Sequence, residues 1–211
     1  MGADAPFAFH ARTPMSYAAE AMTERKQGTA TYADILAAPP HSIAQIVDGE
    51  LHVQPLPAGP HGIASSGLGM DLGGPFQRGR GGPGGWIFVD EPELHFGDDV
   101  VIPDLGGWRA SAPPEVEAPF FTLPPVWVCE VLSPGSVVFD RGPKADLYLR
   151  VGVEYMWLVA PLDHLIEAFE SRDGRWQRLG AWSGDAAAHI PPFDAVALEL
   201  GPLWVTKNPA P

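Results

Sequence analysis

Residues 126–159 read VWVCEVL, SPGSVVFDRGPKADLYLRVG, VEYMWLV, and they decide the fold. Two nearly continuous apolar runs flank a segment of helical period. This is the pattern of a βαβ unit, whose strands are parallel because a crossover joins them. By parity Val126, Val128, Glu130 and Leu132 share one face of the first strand, and Trp127, Cys129 and Val131 the other. Both faces are otherwise apolar, so the strand is expected at the centre of a sheet. A carboxylate there must be paired, protonated or bound to a metal, because desolvating a bare charge is very costly.

The crossover carries a matching feature. Asp140 is expected to cap the helix, Pro143 to sit in its first turn, and Gly152 to take the left-handed position past its end. Between them Lys144, Leu147, Tyr148 and Val151 fall at i, i+3, i+4 and i+7. A lysine therefore opens the buried stripe, near the strand end that holds Glu130.

Outward from this unit, 211 residues with 45% hydrophobic content suffice for one well-buried domain. Gly and Pro, 24 of each, cluster and predict long loops. Twenty-six acidic against 13 basic residues give a net charge of −13, which excludes a generic basic nucleic-acid footprint but leaves room for a local basic groove or a metal. The single cysteine, Cys129, reads as a small buried hydrophobe and permits no disulfide within one chain. No run approaches the roughly 18 apolar residues of a membrane span, and the N-terminus lacks a secretory pattern, so a cytoplasmic location is expected.

Residues 1–28 show no sustained period and read as an N-terminal arm or docking segment, with the folded domain over 29–205 and a tail at 206–211. Thr31 looks like the N-cap of a short helix that Pro39 and Pro40 stop. Asp48-Gly49 is a two-residue turn signal that predicts a hairpin of strands 43–47 and 50–54. Over 61–78 the apolar residues Ile63, Leu68, Leu72 and Phe76 hint at a helix, weakened by glycines that each cost about 0.5 to 1 kcal/mol. The following RGRGGPGG is a loop; its two arginines could touch phosphate or belong to a solvated linker. Residues 86–91 read as a strand with 93–96 as its continuation, and a G-D-D turn leads into VVIPDLGGWR. There Pro103 cannot donate to a ladder, so Asp104 is expected where a strand opens. After the βαβ unit, Asp173-Gly174 marks another hairpin.

Asp104, Glu130 and Lys144 thus sit on adjacent elements. Two carboxylates can hold a hard divalent cation that acidifies water, and a lysine can orient that water or stabilise charge on a phosphate, a set suited to phosphodiester hydrolysis. Each has a plainer role as well: a turn cap for Asp104, a buried salt bridge for Glu130, a packed stem or simple partner of Glu130 for Lys144. Glu50 is a further candidate carboxylate or a solvated strand residue. His61 is a helix cap or a phosphate or metal contact. Asp90, Glu91 and Glu93 read as an exposed strand end, Tyr148 and Trp157 as core, and Asp140 as only a cap.

The strings D-G-E-L, P-H-G, V-I-P-D-L, P-P-V-W-V-C-E-V-L-S-P, D-R-G-P-K-A-D-L-Y and G-V-E-Y-M-W-L-V are similar throughout to the Uma family of restriction-endonuclease-like proteins, part of the PD-(D/E)XK nuclease superfamily. The resemblance implies an α/β fold with a restriction-endonuclease-like core, a mixed β-sheet with flanking helices, and a helix near 61–77. It implies a metal-dependent endonuclease acting on DNA with Mg2+ or Mn2+. Asp104, Glu130 and the Val131 carbonyl would be ligands and Lys144 would be the catalytic lysine. One departure stands out: the superfamily's lysine two residues after the acid is Leu132 here, and the resemblance implies that the lysine comes from the following helix instead, as Lys144. The competing expectation is a catalytically degenerate nuclease fold serving as a binding or assembly module, and a homodimer is compatible with either.

Overall fold

The computed structural model describes residues 24–26, 28–57 and 59–204. Its elements run β1 (Glu24–Lys26), α1 (Tyr32–Leu36), β2 (Ser42–Val47), β3 (Glu50–Pro55), α2 (Gly59–Leu72) with a wider π turn over Gly73–Gln77, β4 (Trp86–Asp90), β5 (Leu94–Phe96), β6 (Asp99–Val101) and β7 (Leu105–Arg109). Then follow β8 (Trp127–Val131), α3 (Val137–Phe139), a π turn over Asp140–Lys144, α4 (Ala145–Val151), β9 (Tyr155–Ala160), β10 (Leu165–Arg172), β11 (Arg175–Ser183) and the short β12 (Ala187–Ala188) and β13 (Leu198–Glu199).

Two large sheets are built from these strands, with β12 and β13 a separate antiparallel pair. One has five, in the order β1-β3-β2-β6-β5, and the other six, in the order β11-β10-β9-β8-β7-β4. Their hairpins follow from turn chemistry. Asp48 and Gly49 both have positive φ, 52° and 74°, and so do Asp173 and Gly174, as tight turns between twisted strands require. Glu24–Lys26 of the expected arm pairs with β3; residues 1–23 and 27 and the 206–211 tail lie outside the described residues. Among the described residues no helix is long and apolar enough to cross a membrane.

β8 is central, parallel to β9 and antiparallel to β7, so the six-stranded sheet is mixed. Val128 and Leu132 pack with Leu147 and Tyr148 of α4 and with Val47 and Val101 of the five-stranded sheet. Trp127, Cys129 and Val131 pack on the other side with Leu68 and Leu72 of α2 and the C-terminal Phe193 and Leu203. The parity of the sequence is thus realised within the strand, each face closing its own core; Val126, just before the strand, packs with the Trp127 side. Gly107 of β7 is needed here: a Cβ would meet Trp127 at 3.0 Å and Phe88 at 3.2 Å.

Two local expectations are corrected. Residues 94–96 do not continue β4 but start β5 in the other sheet, because Glu91 turns the chain with a φ of 46° ahead of buried Pro92. The crossover helix starts before Asp140, with Ser133 and Ser136 exchanging backbone-to-hydroxyl hydrogen bonds of 3.1 and 3.2 Å at its entry, so Asp140 lies inside the helical segment and is no cap.

Candidate active site

At Ile102–Pro103–Asp104 the chain crosses from one sheet to the other, leaving β6 and entering β7. Pro103, without an N–H, ends the first ladder there. The β7–β8 register pairs Leu105 with Cys129, so one step further Asp104 comes level with Glu130. Asp104 Oδ2 accepts the Val131 N–H at 2.6 Å, which fixes the acid against the end of β8. Its Oδ1 lies 2.9 Å from Nε2 of His61, in the first turn of α2.

Glu130, level with Asp104, points toward α4. Its Oε2 accepts from Lys144 Nζ at 2.8 Å and its Oε1 from the Tyr148 hydroxyl at 2.6 Å. Lys144 also donates to the Ile102 carbonyl at 2.9 Å and lies 3.8 Å from Asp140 Oδ1. The crossover's irregularity makes this possible. Pro143 cannot donate to the preceding turn and Gly142 leaves helical geometry, with φ −113° and ψ −105°; the resulting π turn buries both Asp140 and Lys144.

The electrostatics follow from burial. Glu130 is 2% exposed, and loss of water pushes its carboxyl up to about 8, with Lys144 pulling the other way and Asp140 and Asp104 adding to the rise. Burial also raises Asp140, against the pull of Lys144. For Lys144 burial opposes the charge, yet Glu130, Asp140 and Asp104 outweigh it and lift the ammonium above its ordinary value. Burial, helped by Glu130, raises the Tyr148 hydroxyl, so it donates and does not ionise. Cys129 is fully buried and burial raises its thiol, the inert role expected of it.

Asp104, Glu130, Val131, Lys144, Asp140 and His61 all line one cleft of about 30 Å3, room for a cation or a water and little more. Among the described residues no three His, Cys, Asp or Glu side chains form a metal-ligating group. A cation in this cleft would draw on the Asp104 and Glu130 carboxylates, the Val131 carbonyl and water, the sparse oxygen set that magnesium accepts. The donor set fits: each carboxylate oxygen keeps a lone pair beyond its present hydrogen bond. The cleft also holds an orphan, since Gln54 Nε2 on β3 is buried without a hydrogen-bond partner and lines the same space.

The structure therefore brings together Asp104, Glu130, Val131, Lys144 and His61. Glu50 is not among the cleft's lining residues; it stands beside the hairpin turn with Oε2 4.0 Å from His52 Nε2. Sequence reasoning missed three groups. Tyr148 is core, as expected, but its hydroxyl also holds Glu130, a role its place four residues after Lys144 on the same stripe signalled. Asp140 is a buried partner of Lys144. Gln54 gave no signal, because its alternation within β3 says nothing of which cleft the other sheet will present.

A mixed sheet whose central strand carries the acid, with a second acid level with it and a lysine from the crossover helix, is a restriction-endonuclease-like core. The chain belongs to the Uma2 family, described as "Putative restriction endonuclease", whose model matches residues 30–200. A crystal structure of a "putative nuclease belonging to DUF820" from Anabaena variabilis ATCC 29413 is similar to it in fold, with a TM-score of 0.65 and 20% identity over 83% of this chain and 97% of that one. No curated protein matches.

Proposed function

We propose that the protein is an endonuclease that hydrolyses nucleic-acid phosphodiesters, DNA first among them, with magnesium or manganese. The observation that carries this reading is the cleft itself: three carboxyl groups, Asp104, Glu130 and Asp140, surround a single lysine in a buried space that raises Glu130 and Asp140, and a divalent cation would favour their charged forms. The family's description and the nuclease fold support it.

A bound cation would supply Lewis acidity, acidifying water and neutralising charge on the scissile phosphate. Asp104, held by the Val131 N–H, and Glu130, held by Tyr148, are oriented to bind it. Lys144 is positioned to orient the attacking water and to offset charge building on the phosphate. His61 holds Asp104 from the other side. The same reading places the protein in the cytosol, acting as a monomer or a symmetric dimer.

One observation favours a rival. Lys144 and Tyr148 already satisfy both Glu130 oxygens, and His61 and Val131 those of Asp104, so the cleft is self-consistent without a metal, as in a fold retained for binding or assembly. Calorimetry with manganese, beside cleavage assays on single-stranded, duplex and branched DNA, separates the two. Binding, together with cleavage lost in Asp104→Ala and Lys144→Ala, is the expected result. No heat and no cutting by the unaltered protein would overturn the nuclease reading.

A further inference from the structure

The cleft is too small to hold more than the reacting centre, so a nucleic-acid chain must lie outside it. A second groove, of about 400 Å3, lies beside it along α2 and its π turn. Its wall includes Ser65, Ser66, Gly73, Gly74, Arg78 and Arg80, and it ends at Asp90 and Leu105, the latter adjoining Asp104 in sequence. Asp90 is near enough to Asp104 and His61 to feel both charges. The groove thus ends near the acid of the candidate active site.

Its arginines are set apart from most others in the chain. Arg141, Arg150, Arg172 and Arg178 are all in ion pairs with acids. Arg109 lies 3.8 Å over the Trp86 ring. Arg78 and Arg80 are exposed and make no ion pair among the described residues, in a chain with 26 acids for 13 bases. Nor is their loop an undefined linker. The Arg80 N–H bonds the Gly74 carbonyl at 2.9 Å and the Gly84 N–H the Pro75 carbonyl at 2.9 Å, while Gly82 sits so close to Pro75 that a Cβ would meet it at 2.5 Å. The two side chains are therefore carried on a folded platform.

The groove floor supplies an independent argument. Gly73 and Gly74 have nothing within 4 Å of where a Cβ would stand, so no packing demands them. Glycine in a helical segment costs about 0.5 to 1 kcal/mol relative to alanine. Here that cost leaves open space along a wall that two unpaired cations overlook.

We propose that this groove is the track for the phosphodiester backbone of the nucleic-acid substrate, with Arg78 and Arg80 contacting phosphates and Gly73 and Gly74 leaving the backbone room. This rests on the nuclease reading above. Asp90, the acid on the groove wall, is the lining residue that feels the charges of Asp104 and His61.

The test is binding of labelled duplex and single-stranded DNA by the full chain between 50 and 200 mM salt, with calcium in place of magnesium to hold back cleavage. Arg78→Ala/Arg80→Ala should melt as the unaltered protein does, since neither side chain is buried or paired. It should bind with a salt slope shallower by about 1.8 on duplex or about 1.4 on single strands, the release expected for two phosphates. Arg78→Lys/Arg80→Lys should restore the slope. If the unaltered protein binds DNA and the double alanine variant keeps its affinity and slope, the track is refuted and the nuclease reading stands. If the unaltered protein binds neither DNA, the nuclease reading itself falls.

Discussion

Replacing Lys144 by methionine isolates what the buried charges cost the fold. Lys144 is 2% exposed and so is Glu130, 2.8 Å away, so at pH 9, above the raised value of the Glu130 carboxyl, the variant leaves that carboxylate facing Asp140 and Asp104 without its cation. Breaking a buried pair from one side costs about 3 to 5 kcal/mol, which in a chain of 211 residues, at about 2 to 4 °C per kcal/mol, lowers the melting temperature by about 6 to 20 °C. Removing the whole arrangement should behave differently. In Lys144→Met/Glu130→Leu/Tyr148→Phe the Glu130 carboxyl and the Tyr148 hydroxyl leave with the lysine, so what remains is Asp140 without its cation, as in the single variant, and the Ile102 carbonyl without its donor, the latter at about 1 to 3 kcal/mol. The triple variant should therefore melt above the single one while having no nuclease activity. Differential scanning calorimetry in EDTA makes the comparison. A single variant within 2 °C of the unaltered protein, by the same roughly 2 to 4 °C per kcal/mol scale, or a triple variant that melts below the single, would refute the account of the pair.

Three further outcomes are expected. In metal-free protein the Glu130 carboxyl, raised to about 8, keeps a proton that the unfolded chain has released above about 4.3, so stability should fall as pH rises between those values. Urea titrations from pH 5 to 9 should show Glu130→Gln with a flatter pH profile, and identical profiles would remove Glu130 as the source. His61→Ala takes away the group 2.9 Å from Asp104 Oδ1 and should weaken manganese binding by about 10- to 100-fold in calorimetry; unchanged affinity would show that His61 does not orient the ligand. Gln54→Leu removes a buried donor that no protein group satisfies, so it should raise stability by about 1 to 3 kcal/mol while slowing cleavage, and a loss of stability would mean the amide is already satisfied.

Much of this was legible in the chain because the signals were local. Asp48-Gly49 and Asp173-Gly174 fix their hairpins by backbone preference alone, and an acid within an apolar strand points to a buried partner wherever it occurs. Lys144 could be placed because helical spacing ties it to Leu147 and Tyr148. What escaped depended on distant contacts. Asp140 is a good capping residue by type, and only the Ser133–Ser136 turn, together with the π turn at Pro143, moves it inside. Residues 94–96 look like more of β4 until Glu91 diverts them to another sheet. The hydroxyl of Tyr148 and the amide of Gln54 acquire meaning only from β8 and from the cleft between the sheets.

The passage of the chain from one sheet to the other at Ile102–Asp104 has a mechanical consequence. Gln54 rides on the five-stranded sheet, Glu130 on the six-stranded one and Lys144 on the crossover, while Asp104 sits at one of the joints between the two sheets. Any shear between the sheets changes the spacing of all four at once. Since a misplacement of about 1 Å can cost a reaction about a hundredfold, substitutions far from the cleft but in the shared core, such as at Val47, Val101 or Val128, can silence the site without touching it.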